Sequence, residues 1–176
     1  MKVSQSFRVS KPVPVVWELF SDIPKVARCM PGAELTEDKG GGVYAGRLGI
    51  KLGPFSASFD GEAVVTPTPD HAGHVEGRGV DKRGGSRSKL VMDYRLEPDG
   101  DGTRVTIDAD VQLSGPVAQF GRSGIVNETT AILIGQFVHN VEATLAGGDA
   151  PEAAQLSAGS VAWQLVKSKV FKRGEE

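Results

Sequence analysis

The sequence predicts an α+β protein in which a strongly curved antiparallel sheet wraps on a long C-terminal helix, with two short helices after the first strand. Three observations carry this reading. Apolar residues alternate with period 2 over most of 33–113, and turn residues break that alternation at short intervals. After Gly115-Pro116 the apolar period lengthens to that of a helix. Strands joined by short turns are expected to be sheet neighbours, and the apolar faces of such a sheet need a helix to cover them.

The elements follow in order. Val3, Phe7 and Val9 alternate with Lys2, Ser4, Ser6 and Arg8, which predicts a first strand with one buried face. Ser10-Lys11-Pro12 opens a helix, with Ser10 as the expected cap and proline tolerated in the first turn. Val13, Val16, Trp17 and Phe20 supply its apolar stripe. Ser21-Asp22-Ile23-Pro24 starts a second short helix that Pro31-Gly32 stops. Five or six strands come next, with turns at Lys39–Gly42, Gly53-Pro54, Pro67–Gly73, Lys82–Gly85 and Pro98–Gly102.

The clearest strand is Thr103–Leu113, with Val105, Ile107, Ala109, Val111 and Leu113 on one face. Leu90, Met92, Tyr94 and Leu96 hold one face of the strand before it, and Phe55, Ala57, Phe59, Ala63 and Val65 one face of an earlier strand. Val117, Phe120, Ile134, Phe137, Val138, Val141 and Leu145 recur at helical steps. They predict a helix from Pro116 to Ala146, roughly 45 Å long at ~1.5 Å per residue, which Gly121 and Gly124 can bend.

Composition bounds the function. A chain of 176 residues suits one domain. Twenty basic against 22 acidic residues give a net charge of −2, which removes the broad positive footprint of a nucleic-acid binder. Cys29 is the one cysteine, so no internal disulfide forms, as in a reducing compartment. No apolar run reaches the ~18–20 residues of a membrane span, and the N-terminus has no signal-peptide core. A cytoplasmic protein is expected. Three parts are predicted: a domain over 1–146, a flexible linker over 147–160 and a basic amphipathic tail over 161–176.

Few residues suggest chemistry. His71 and His74 form an H-x-x-H pair on a turn without a third ligand nearby, so no metal is expected. Asp108 and Asp110 share a strand face with Arg104, Thr106 and Gln112, which reads as a solvated face. Asp60 and Glu62 share a face with Ser56 and Ser58, and would matter for catalysis only if that side lined a cavity. Cys29 has no histidine nearby in sequence and reads as a small buried residue. Lys82–Lys89 is basic but lacks the glycine–lysine pattern of a phosphate loop. A solubilising turn, or a contact with an acidic partner, accounts for it. No catalytic residue is assigned.

The inward apolar residues leave two readings open, a close-packed core or a void. Small neighbours such as Ala45, Ala57, Ala63, Ala109, Gly46, Gly61, Gly77 and Gly79 leave room for a void of a few hundred Å³.

Five stretches are similar to a known family: Cys29-Met30-Pro31-Gly32-Ala33-Glu34-Leu35, Lys51-Leu52-Gly53-Pro54-Phe55, Phe59-Asp60-Gly61-Glu62-Ala63, Gly115–Arg122 and Gln136–Asn140. In this order, over residues 1 to about 146, they resemble the CoxG family of carbon monoxide dehydrogenase. The order of elements resembles the helix-grip fold of the START and birch-pollen-allergen (SRPBCC) superfamily that contains it. The tail carries no motif of the family.

The resemblance implies an accessory protein of a molybdenum-containing hydroxylase of the carbon monoxide dehydrogenase type, one that links the enzyme to the membrane. It also implies a cavity between sheet and helix for a hydrophobic small molecule, with no covalent cofactor. A bound respiratory quinone or lipid would join the two roles. Trp17, Phe20, Phe55, Phe59, Leu90, Met92, Tyr94, Phe120 and Phe137 are expected to line that cavity. Two alternatives stand beside this reading: an assembly chaperone with a filled core, and a cyclase- or hydratase-like enzyme on the same fold.

The tail has its own reading. Gly147–Gly159 is rich in Gly, Ala, Ser and Pro, as in a linker. Residues 161–173 then carry Lys167, Lys169, Lys172 and Arg173 and no acid. Trp163, Val166 and Val170 lie on one helical stripe, flanked by Phe171. Such a helix suits an anionic membrane interface, so the expected location is the inner face of the cell membrane, held peripherally. Docking on a partner, or on the chain's own domain, is the alternative.

Overall fold

A computed structural model describes residues 1–52, 55–122 and 125–148. The elements run β1 (Lys2–Val9), α1 (Val13–Ser21), α2 (Ile23–Cys29), β2 (Ala33–Gly40), β3 (Val43–Leu52), β4 (Phe55–Thr68), β5 (Ala72–Val80), β6 (Arg87–Asp99) and β7 (Gly102–Ser114). A 3₁₀ segment, Pro116–Arg122, and α3 (Ile125–Leu145) follow. The strands form one antiparallel sheet in the order β1-β7-β6-β5-β4-β3-β2. This is the α+β architecture that the alternation and the terminal helix predict.

The turns after β2, β5 and β6 fall at glycines, whereas the turn between β4 and β5 places Asp70 and His71 at positive φ. Gly40, Gly41 and Gly42, between β2 and β3, all adopt positive φ, which a side chain would resist. The expected turn at Gly53-Pro54 lies outside the described residues.

Two expectations about the helices are corrected. Ser10 does not cap α1: the N-cap is Pro12, without a side-chain cap, and the Ser10 N–H donates to Glu142 Oε1 at 2.6 Å. Ser10 stands two residues before the cap position, too early for its hydroxyl to serve the first turn, and α3 takes its N–H instead. Asp22 does cap α2, accepting from the Lys25 N–H at 3.2 Å. The single helix expected over Pro116–Ala146 is a 3₁₀ segment followed by a 21-residue α-helix, about 31 Å long at ~1.5 Å per residue. The Gly121-Arg122-Ser123-Gly124 stretch explains the division, since two glycines make poor helix interior. The bend expected at Gly124 lies outside the described residues, as do the tail and the linker beyond residue 148.

The helices cover one face of the sheet. The main core joins Val9, Val13, Val16, Leu19, Phe20, Cys29, Tyr94, Leu96, Val105, Phe137 and Val141, so α1, α2 and the second half of α3 sit over β1, β6 and β7. Aromatic edges meet there: Phe137 lies 6.0 Å from Phe7 and 6.1 Å from Phe20, and Phe20 lies 5.9 Å from Tyr94. Gly73 makes room for Tyr94, because a Cβ at that position would overlap the tyrosine ring. A smaller cluster of Ala57, Phe59 and Val117, with Ile50, Leu113 and Phe120 against it, closes the 3₁₀ end.

The buried polar groups hold the elements together. The Asn140 amide donates to the Cys29 carbonyl at 2.9 Å, tying α3 to α2. The Thr103 hydroxyl donates to the Lys11 carbonyl at 2.7 Å, and the Val117 N–H donates to the Ser86 hydroxyl at 3.1 Å. Leaving such a group without its partner costs about 1–3 kcal/mol, so these bonds fix where each helix sits.

Candidate functional site

The main core does not extend under the whole sheet. Beside it, between α2 and β2–β6, lies a cavity of about 270 Å³. The strand register explains why space remains. Leu48, Gly46 and Tyr44 of β3 stand opposite Phe59, Gly61 and Ala63 of β4. Gly61 and Ala63 in turn stand opposite Gly79 and Gly77 of β5, which face Ser88 and Leu90 of β6. Large residues thus frame a patch of glycines and alanine. Ile23 and Ala27, one turn apart on α2, form the opposite wall with Leu35 of β2.

The glycines do different things. At Gly61 a Cβ would collide with the Arg78 carbonyl and reach the Gly79 Cα at 2.8 Å, so β4 and β5 approach too closely there for any side chain. At Gly77 a Cβ would meet only ordinary neighbours, Leu90 Cβ at 3.7 Å and the Glu62 carbonyl at 3.8 Å. Gly61 is required by the backbone, whereas Gly77 holds cavity space open.

The lining is apolar apart from two hydroxyls, Tyr44 and Ser88. The charged residues at its edge, Glu34, Arg47, Glu62 and Arg78, alternate onto the other face of the sheet. There Arg47 Nε pairs with Asp60 at 2.9 Å, and Lys39 pairs with Glu62. The lysine bond holds the Glu62 carboxyl below its ordinary range. Asp60 and Glu62 therefore stand on the outer face as members of ion pairs.

Of the residues expected to line a cavity, Phe59 and Leu90 do border this space. Phe20, Tyr94 and Phe137 lie in the packed core, with Trp17 and Met92 against it, and Trp17 sets its ring edge-on to His71 at 5.4 Å. Phe120 packs on the smaller cluster. The Phe55 side chain, together with Trp163, Val166, Lys167, Lys169, Val170, Phe171, Lys172 and Arg173, lies outside what the structure describes. Sequence reasoning passes over Ile23, Ala27, Leu35, Tyr44 and Leu48. The signal for β3 is present as alternation of Tyr44, Gly46, Leu48 and Ile50. Among the small residues expected inside, Ala45 instead faces outward, opposite Glu62.

The other candidate groups have ordinary partners. Cys29 is fully buried with its thiol 3.5 Å from the Thr144 hydroxyl, and burial pushes the thiol up, away from the reactive thiolate. His74 Nδ1 lies 2.7 Å from Asp93 on the outer face, a bond that raises its pKa. Asp108 accepts from Ser4, and Asp110 from the N-terminal amine at 3.1 Å. Among the described residues, no three His, Cys, Asp or Glu side chains gather as a metal site, and no helix is long and apolar enough to cross a membrane.

Comparison with known proteins gives a consistent picture. The model of the CoxG family, described as the G subunit of carbon monoxide dehydrogenase, matches residues 6–146. Among curated proteins none matches the sequence. A conserved protein from Geobacillus kaustophilus is similar in structure, with a TM-score of 0.74 at 21% identity over 84% of this chain and 96% of that one. The Zhui aromatase/cyclase from Streptomyces sp. R1128 scores 0.57 at 15% identity, over 84% and 98%. A STAR-related lipid transfer protein from Xanthomonas axonopodis scores 0.55 at 18% identity, over 80% and 85%. At these identities the likeness establishes the START-like helix-grip fold and nothing finer.

Proposed function

The chain belongs to the CoxG family of carbon monoxide dehydrogenase, and on that premise we propose that it is a non-catalytic accessory protein of a molybdenum-containing dehydrogenase of this type. It holds a hydrophobic ligand in the cavity beside α2 and links the enzyme to the membrane. The observation that carries this reading is the cavity itself. About 270 Å³ walled by Ile23, Leu35, Leu48, Phe59, Val65 and Leu90, with two hydroxyls, suits an apolar molecule bearing one hydrogen-bonding head. A quinone has that chemistry: a ring with polar oxygens and an apolar chain. The volume takes a ring-sized head, and a long chain would have to run out past α2. A ligand of this kind would also carry electrons from the dehydrogenase to the membrane.

The enzyme reading on the same fold has weaker support. General acid–base work needs titratable groups aimed at the substrate. The described lining contains neither His nor Cys, and its carboxylates Glu34 and Glu62 stand on the outward face.

Gly77→Leu tests the cavity. A Cβ there meets only ordinary contacts beside the cavity, so the cost should stay at the low end of the ~1–3 kcal/mol of overpacking. Purified wild-type protein, extracted with solvent and analysed by mass spectrometry, should release a quinone or a lipid; the variant should release less than a tenth as much. Equal amounts from both proteins would place the ligand elsewhere, and an empty wild type would favour the chaperone with a filled core.

Membrane attachment is assigned to the basic tail. Its four basic residues near an anionic surface contribute ~1 kcal/mol each, enough to hold a peripheral protein. Full-length protein should therefore co-sediment with anionic liposomes, whereas residues 1–148 alone should remain in the supernatant. Equal sedimentation of the two would remove the tail from this role.

A further inference from the structure

The outer face of the sheet carries a second concavity, a groove of about 610 Å³ directly behind the apolar cavity. Its floor is formed by two register rows. One runs Asp60, Val80, Arg87, Ser114 across β4, β5, β6 and β7, and the next runs Glu62, Arg78, Lys89, Gln112. Gly61 and Gly79 line both spaces, so a single layer of backbone separates them.

The β5–β6 hairpin that borders the groove is unbalanced in charge. Residues 78–89 hold five basic side chains against one acidic, a net +4 in a chain of net −2. On β2–β4 the outward cations are neutralised, Lys39 by Glu62 and Arg47 by Asp60 and Glu34. Among the described residues, no ion pair engages Lys82, Arg83, Arg87 or Lys89, all of which are exposed.

The turn that presents these cations is held in place by its one carboxylate. Asp81, 3% exposed, accepts from the N–H groups of Arg83 and Gly84 at 3.0 Å each. Its own N–H donates to the Ser86 carbonyl, and its carbonyl accepts from Gly85. Ser86 is tied in turn to the 3₁₀ segment through Val117. Asp81 Oδ1 thus takes both backbone bonds, and Lys82 and Arg83 stand exposed on the turn it holds. A preorganised charge loses less entropy when a partner takes it.

We propose that the β5–β6 hairpin, with Arg78, Lys82, Arg83, Arg87 and Lys89, is the docking surface for an acidic, protruding segment of the partner dehydrogenase. The proposal rests on the functional reading above for the identity of that partner. Shape selects a protein over a bilayer: a flat lipid surface cannot enter a groove, whereas a protruding segment can. Gln112 and Ser114 add hydrogen-bonding groups that can read a peptide. Docking here also sets the partner against the wall of the ligand cavity.

The test measures binding of full-length protein to the purified carbon monoxide dehydrogenase of the same organism. Arg87→Glu and Lys89→Glu are compared with Lys11→Glu, an equal charge change at an exposed site away from the groove. Each groove variant should weaken binding at least roughly tenfold, through slower association, while the Lys11 variant stays within about twofold. Wild-type affinity should fall steeply between ~0.1 M and ~1 M salt, as the screening length shrinks from about 10 Å to about 3 Å. Tight binding that ignores both salt and the groove variants would overturn this docking surface and leave the accessory role intact. Absence of any binding by the wild type would overturn the accessory role itself. Loss of liposome binding alone, or of a homodimer alone, in the groove variants would reassign the face to membrane or to a second copy.

Discussion

Phe137→Ala is expected to cost about 4 kcal/mol, because deleting a buried phenyl ring leaves a cavity that neighbours fill only in part. Phe137 is 4% exposed, and its ring meets Phe7 and Phe20 from two sides. Denaturant titration should show a lower midpoint at unchanged slope, and the melting temperature should fall by roughly 8–16 °C for a domain of this size. Ligand content per folded molecule should stay at the wild-type level, since Phe137 does not border the cavity. A variant that keeps its stability within about 1 kcal/mol but loses its ligand would return Phe137 to the cavity wall, where the sequence pattern puts it.

Gly61→Ala, a change of one methyl group, should cost about 3 kcal/mol, at the upper end of overpacking. The new Cβ has no empty direction: the Arg78 carbonyl carbon and the Gly79 Cα would each lie 2.8 Å away, and both belong to the backbone of the next strand. Strand β4 or β5 has to move, and with it both the apolar cavity and the basic groove that share Gly61. Gly77→Ala, two positions from Gly61's partner on β5, is the control and should be nearly neutral. Similar melting temperatures for the two alanine variants would show that the close approach of β4 and β5 relaxes without cost.

The contrast between these two glycines shows where sequence reading stops. Both are legible as small residues on an inner face, and nothing in their local pattern separates them. The distance between two backbones separates them, and that depends on how β3, β4 and β5 pair. The same holds for the aromatic residues. Phe59 and Phe137 look alike in sequence, both apolar and both at the right period. One borders the cavity because Gly61 and Gly79 lie beside it, and the other closes the core because α1 and β1 meet α3 there.

Strand alternation, turn chemistry and the late change of period are local properties, repeated often enough to determine the antiparallel meander, the inner and outer face of each strand and the covering helix. Motifs spread over 1–146 were enough to indicate the family. Tertiary structure alone decided the rest. It divided the inner face into a filled core and an open cavity, wound Pro116–Arg122 as a 3₁₀ segment, and paired Asp60 and Glu62 with cations from β3 and β2. It also left Lys82, Arg83, Arg87 and Lys89 outside any ion pair among the described residues. Each of these outcomes depends on which side chains meet across strands and helices distant in sequence, and short-range periodicity carries no record of those meetings.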